Sequence, residues 1–192
     1  MTKKIISSIT DSISTKQLFA EDKNNIILIK QAADLCIASF KNYGKVLLCG
    51  NGGSAADAQH IAAELSGRFN YDREPLYAEA LHVNSSFVTA VANDYSYDDV
   101  FSRMIKAAGK SGDVLIGIST SGNSINVVNA LTEAKKLGMF TVGLTGLSGG
   151  KIAEIADICI KVPSKNTARI QETHILIGHV ICEEVESTLF PR

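Results

Sequence analysis

Residues 45–64 read K-V-L-L-C-G-N-G-G-S-A-A-D-A-Q-H-I-A-A-E: an apolar run, a glycine-rich turn, then alanine-rich helical sequence. A strand that turns through Gly50-Asn51-Gly52-Gly53 into a helix aims backbone N–H groups, and the positive end of the helix dipole, at an anion lying beyond the strand. Four residues apart on that helix, His60 and Glu64 project from one face. On a plain surface such a pair stabilises a helix by only about 0.2–0.5 kcal/mol. Here Ala55, Ala56, Ala58, Ala62 and Ala63 surround it with small side chains, leaving room for close packing or for a ligand. An anion cradle beside an imidazole and a carboxylate points to a phosphorylated substrate that undergoes proton transfer.

Working outward, four more strand-like runs follow, at Leu76–Leu81, Asp113–Ile118, Thr141–Leu144 and Asp157–Val162. They are apolar runs rather than alternating ones, as in strands buried on both faces. Helical signals separate them: Ser85–Asn93 with its cap at Ser85 or Ser86, Asp99–Ala108, Ile125–Leu137 ending at Gly138, Lys151–Ile155, and a long final helix over Thr167–Thr188. Alternating elements of this kind predict an α/β, three-layer sandwich: a five-stranded parallel sheet flanked by helices. Before the first strand, residues 24–41 place Ile26, Ile29, Ala33, Ile37 and Phe40 at helical spacing, and residues 4–19 carry a weaker pattern through Ile5, Ile9, Ile13 and Leu18. Two such helices hold more apolar surface than a small sheet covers, so packing against another subunit is expected. The chain reads as a single domain, 1–192, with N-terminal helices over 1–42 and the α/β core and C-terminal helix over 43–192.

A formal charge of −1 leaves no overall basic footprint for nucleic acid. No apolar run is long enough to span a membrane, and the N-terminal apolar stretch breaks off too soon for a signal peptide. Cys36, Cys49, Cys159 and Cys182 lie in separate apolar segments with no C-x-x-C, as reduced, buried thiols of a cytoplasmic protein do.

A second loop, Ser119-Thr120-Ser121-Gly122-Asn123-Ser124, directly follows the 113–118 strand. Ligands of open parallel sheets bind beyond the carboxyl ends of strands. A helix cap needs one hydroxyl or amide side chain, whereas this loop has five, a surplus suited to phosphate oxygens. Neither loop has the G-x-G-x-x-G pattern or the lysine of a P-loop, which disfavours nucleotides. The final helix carries Arg169, Gln171, Glu172, His174 and His179, the last in an apolar stretch where a histidine is usually a packing residue. Gln171 and His179 differ by about 12 Å along a helix axis, and His174 competes with His179 as the nearer partner of Gln171.

Taken together, C-G-N-G-G-S, the A-x-x-x-A-x-H-x-x-x-E-L-x-G-R run ending at Arg68, N-D at Asn93-Asp94, F-S-R at Phe101–Arg103, G-D-V-L-x-G-I-S-T-S-G-N-S, L-T-G and A-R-I-Q-E-x-H resemble the phosphoheptose isomerases of the SIS (sugar isomerase) superfamily. The resemblance covers nearly the whole chain and implies a flavodoxin-like sheet. It implies that Asn51, Gly52, Gly53, Ser54, Glu64, Arg68, Asn93, Asp94, Ser119, Thr120, Ser121, Ser124 and Gln171 bind a phosphorylated seven-carbon sugar. It implies a zinc ion on His60, Glu64, Gln171 and His179, with Glu64 and His179 as the acid–base pair, and a homotetramer with sites formed between subunits. The product of the family, D-glycero-D-manno-heptose 7-phosphate, feeds heptose synthesis for bacterial lipopolysaccharide or capsule. Ala168 stands where some of these isomerases carry Asp. The alternative is a non-catalytic SIS adaptor that binds the replication initiator; Glu64 and His179 discriminate, because an adaptor has no chemical need for that pair.

Overall fold

The expected strands form at Val46–Gly50 (β1), Ala78–Ala80 (β2), Val114–Ser119 (β3), Phe140–Thr145 (β4) and Ile158–Lys161 (β5) in the computed structural model, which describes residues 2–192. All pair in parallel, in the order β2-β1-β3-β4-β5. Every residue of β1 and β3 is buried, because helices cover both faces. The helices are Thr2–Glu21 (α1), Lys23–Lys41 (α2), Gly53–Ser66 (α3), Ser85–Asp94 (α4), Val100–Ala108 (α5), Ile125–Lys136 (α6), Ile152–Ile155 (α7) and Thr167–Leu189 (α8), with a 3₁₀ turn at Tyr97–Asp99.

The two faces of the sheet carry separate cores. On one, Val46, Leu48, Ile116 and Leu144 pack against α2, α3 and α8 through Ala33, Ile61 and Ile177. On the other, Leu47, Cys49 and Leu115 pack against α4, α5 and α6 through Val91, Ile105 and Leu131. This is the three-layer arrangement that the alternating elements predict. The order of strands reverses between β1 and β3, so the crevice above their carboxyl ends is the topological switch point of the sheet. Both loops singled out in the sequence open there.

Helices α3 and α8 run side by side in the same direction. A Cβ on Gly178 would collide with the side chain of Ile61, so glycine is what lets the two helices approach at that level. At the start of α3, a Cβ on Gly53 would lie 2.6 Å from Nε2 of Gln171. Past its end, the N–H groups of Phe69 and Asn70 donate to Glu186 of α8.

In α2 the periodic residues Ile29, Ala33 and Ile37 are buried, while Ile26 is exposed. On α1 the buried residues are Thr15 and Phe19, and Ser8, Ser12 and Lys16 meet Arg169 and Glu172 of α8. The other stripe, Ile5, Ile9, Ile13 and Leu18, faces away from this chain and is exposed. The cap of α4 is Asn84, whose side chain accepts from the N–H of Phe87 at 3.0 Å, rather than Ser85 or Ser86. Asn caps as well as Ser, and being one residue earlier it reaches the third N–H of the helix. All four cysteines are free; burial pushes the thiol of Cys36 up to about 12, which leaves it unreactive.

Candidate active site

Two helices begin at the switch point, and neither is capped by its preceding residue. Gly52, at φ +56°, supplies a left-handed turn into α3 and has no side chain to offer the helix. Ser124 stands before α6 but does not cap it; its Oγ lies 2.9 Å from Oγ of Ser119, which lies 3.4 Å from Oγ of Ser121. The hydroxyls are therefore clustered with one another rather than spent on the helix end. The positive ends of the two helices and the adjacent hydroxyls together suit an anion. Thr120, Ser121 and Asn123 also line a cavity of about 440 Å³ with Ser148, Ser164, Lys165 and Thr167. Lys165 is the cation of that lining, and nothing in its local sequence marked it.

Asn51 ties the segments together. Its side-chain amide and that of Asn126 donate to each other's oxygen, both at 2.9 Å, and the hydroxyl of Tyr97 donates to the same Asn51 Oδ1 at 3.1 Å. The loop after β1, the first turn of α6 and the 3₁₀ turn after α4 thus meet on one side chain. Asn126 and Tyr97 escaped the sequence reading because their partners are distant in the chain. Asn93 and Asp94 are exposed at the end of α4, joined by a 2.9 Å hydrogen bond, just before the turn that carries Tyr97. Ser54 is buried in the first turn of α3, whereas Arg68 is exposed beyond its end.

Among the described residues, His60, Glu64 and His179 offer ligand atoms that all lie within 4.8 Å of one another. Nε2 of His60 is 3.1 Å from Oε1 of Glu64. The rings of His60 and His179 meet edge to face at 5.0 Å, and Phe69 lies 5.7 Å from His179 on another side. Two imidazoles and a carboxylate are donors that zinc and similar divalent ions accept, and a three-residue set leaves room for substrate oxygens. The residues present therefore fit such an ion. The amide of Gln171 packs on Gly53, seven residues before His60 in the chain. His174 is buried, with its Nε2 3.1 Å from the carbonyl oxygen of Thr145, and it serves the core.

One turn before His60, Asp57 is half-buried and its Oδ2 has no partner among the described residues. Burial pushes its carboxyl up to about 6 against the opposing pull of His60.

The matching family model, SIS domain, covers residues 11–146. The chain is 50% identical over 190 residues to the phosphoheptose isomerase of Sulfurimonas denitrificans, covering 99% of this chain and 97% of the relative. It is 52% identical over 190 residues to that of Aneurinibacillus thermoaerophilus, covering 99% and 96%. Among solved structures, the phosphoheptose isomerase of Neisseria gonorrhoeae superposes with a TM-score of 0.91 at 44% identity, covering 97% of this chain and 98% of that one. Five parallel strands in this order, the paired anion loops and near full-length identity to these isomerases agree: the chain belongs to the phosphoheptose isomerase family of SIS-domain proteins.

Proposed function

We propose that this chain interconverts sedoheptulose 7-phosphate and D-glycero-D-manno-heptose 7-phosphate. The observation that carries the reading is the convergence of Glu64 and His60 of α3 with His179 of α8. A ketose–aldose interconversion moves a proton between C1 and C2 through an enediolate, which calls for a base near both carbons and an acid at the oxygens. Glu64 takes the base role and His179 the acid role. The phosphate is held by Ser119, Thr120, Ser121 and Ser124 with the start of α3, and Gln171, Asn93, Asp94 and Arg68 contact the polyol. Binding energy gathered at the phosphate, remote from the reacting carbons, orients the carbonyl end. A zinc ion on His60, Glu64 and His179 would polarise the sugar's carbonyl and hydroxyl oxygens when bound.

The product supplies heptose for bacterial surface polysaccharide, and the location in keeping with that role is the cytoplasm. No helix among the described residues is long and apolar enough to cross a membrane. The exposed stripe of α1, with Ile26 and Ile27 of α2, supports association with further copies of the chain as a homotetramer. Light scattering that returned a monomer would remove that assembly. The test of the reaction is incubation with sedoheptulose 7-phosphate, with and without chelator, followed by product analysis. Formation of the aldoheptose phosphate supports the assignment, and its absence with metal-loaded protein sinks it.

A further inference from the structure

The acid–base residues and their imidazole neighbour stand on two helices, so the geometry of the centre depends on what locks α3 to α8. We propose that Arg73, paired with Glu186, is a positioning residue for the His60–Glu64–His179 centre. The inference rests on the metal reading given above.

Arg73 lies in the loop after α3, and it and Glu186 are buried, with side chains 2% and 1% exposed. The guanidinium donates through Nη2 to the carbonyl of Glu64 at 2.8 Å, and through Nη1 to those of Leu65 at 2.8 Å and Gly67 at 3.1 Å. The last carbonyls of a helix have no partner inside it, and this one side chain reaches two of them, those of Glu64 and Leu65, together with the carbonyl of Gly67 just beyond. Its Nε donates to Oε1 of Glu186 on α8 at 3.1 Å. Glu186 in turn accepts from the N–H of Phe69 at 3.0 Å and of Asn70 at 2.7 Å. Burial opposes its charge, yet the donors from Asn70, Phe69 and Arg73 prevail and hold its carboxyl below the ordinary value.

Two connections run from this pair to the centre. One is direct: Arg73 grips the backbone of Glu64 itself. The other passes through Phe69, whose N–H is held by Glu186 and whose ring lies against His179, while His60 meets that imidazole from α3. Arginine is suited to this because its planar fork donates to several acceptors at fixed angles, which a lysine ammonium cannot copy. Partners hydrogen-bonded to a ligating side chain typically change metal affinity 10- to 100-fold when removed, and Arg73 acts one step further back, on the backbone of Glu64.

The test uses the full-length chain as Arg73→Lys, Glu186→Gln and Phe69→Ala. Zinc affinity is measured by competition with a chromophoric chelator, alongside kcat, KM and the folded fraction by circular dichroism. Folded variants are expected to bind zinc at least tenfold more weakly and to lose kcat, while KM changes less than twofold because the anion loops are untouched (about the range quoted for outer partners). A pair with only a folding role would leave the zinc affinity of the folded fraction unchanged, and that result overturns the proposal. Glu186→Gln keeps the shape of the side chain and one acceptor oxygen, so it carries the test if Arg73→Lys does not fold, and Phe69→Ala reads the ring's link to His179 alone. Wild-type protein that binds zinc without isomerising the sugar would remove the reaction and leave the positioning role intact. Wild-type protein that binds no zinc removes both.

Discussion

The two helices that start at the switch point begin differently from α2, α4 and α8. Asp22, Asn84 and Asn166 cap α2, α4 and α8 with side chains that accept from backbone N–H groups. At the crevice, α3 follows a glycine and α6 follows a serine whose hydroxyl turns to its neighbours. The same polar residue types therefore do two jobs. Where they cap, their hydrogen-bonding capacity is used within the protein. Where they do not, it is available to a ligand.

The contrast extends to the opposite end of the sheet, where Asp113 accepts from Lys45 Nζ at 2.6 Å and from the N–H groups of Lys45 and Lys110 at 3.0 and 2.8 Å. That end is internally satisfied.

The sharpest break of this division comes from the reacting groups. Glu64→Gln and His179→Gln are each expected to lower kcat by about 10²–10⁴-fold with little loss of stability, read by steady-state kinetics beside urea unfolding. Near-wild-type turnover by both would end their catalytic assignment.

His174 supplies the counter-case on the same helix as His179. Burial drives its pKa down to about 4, only partly offset by the Thr145 carbonyl. An unfolded chain protonates this imidazole near its ordinary pKa of 6.5, whereas the native state does not until about pH 4. Between those values the unfolded state binds more protons, so stability is full above about pH 6.5 and falls as pH drops toward 4. The loss attributable to this group is about 3 kcal/mol at most. Urea unfolding from pH 7 to 4.5 should show His174→Gln with a shallower pH dependence than wild type, and equal slopes would assign the acid sensitivity elsewhere.

Next in size, Ser119→Ala removes a hydroxyl from the cradle. Loss of one hydrogen bond to a charged oxygen, worth about 1.5–3 kcal/mol, should raise KM roughly 10- to 100-fold while the unfolding midpoint stays put. The smallest expected effect is the mirror image. Asp22→Ala removes the cap of α2 and should cost about 1 kcal/mol of stability with kinetics unchanged. If Ser119→Ala destabilised the protein and left KM alone, the division between capping and binding residues would collapse.

Much of this was legible locally. The glycine turn after Val46–Gly50, the hydroxyl-rich loop after Val114–Ser119 and the shared face of His60 and Glu64 each depend on residues close in sequence. The cap of α4 was misplaced onto Ser85 or Ser86 because several adjacent residue types satisfy the same N–H, and only the backbone shows that Asn84 is in reach. Lys165 went unnoticed because a single lysine before a helix carries no pattern.

By itself, the order of amino acids determined the strand–loop–helix alternation, and with it a parallel sheet whose polar loops gather at one end. Periodicity encodes those features because they arise between neighbours a few residues apart. The tertiary structure alone decided that α3 and α8 run in parallel at a register that sets His179 beside His60, leaves Gln171 beside Gly53, and buries Arg73 against Glu186. Those meetings join residues more than a hundred positions apart. They are settled by how side-chain volumes pack between two helices, which no local pattern records.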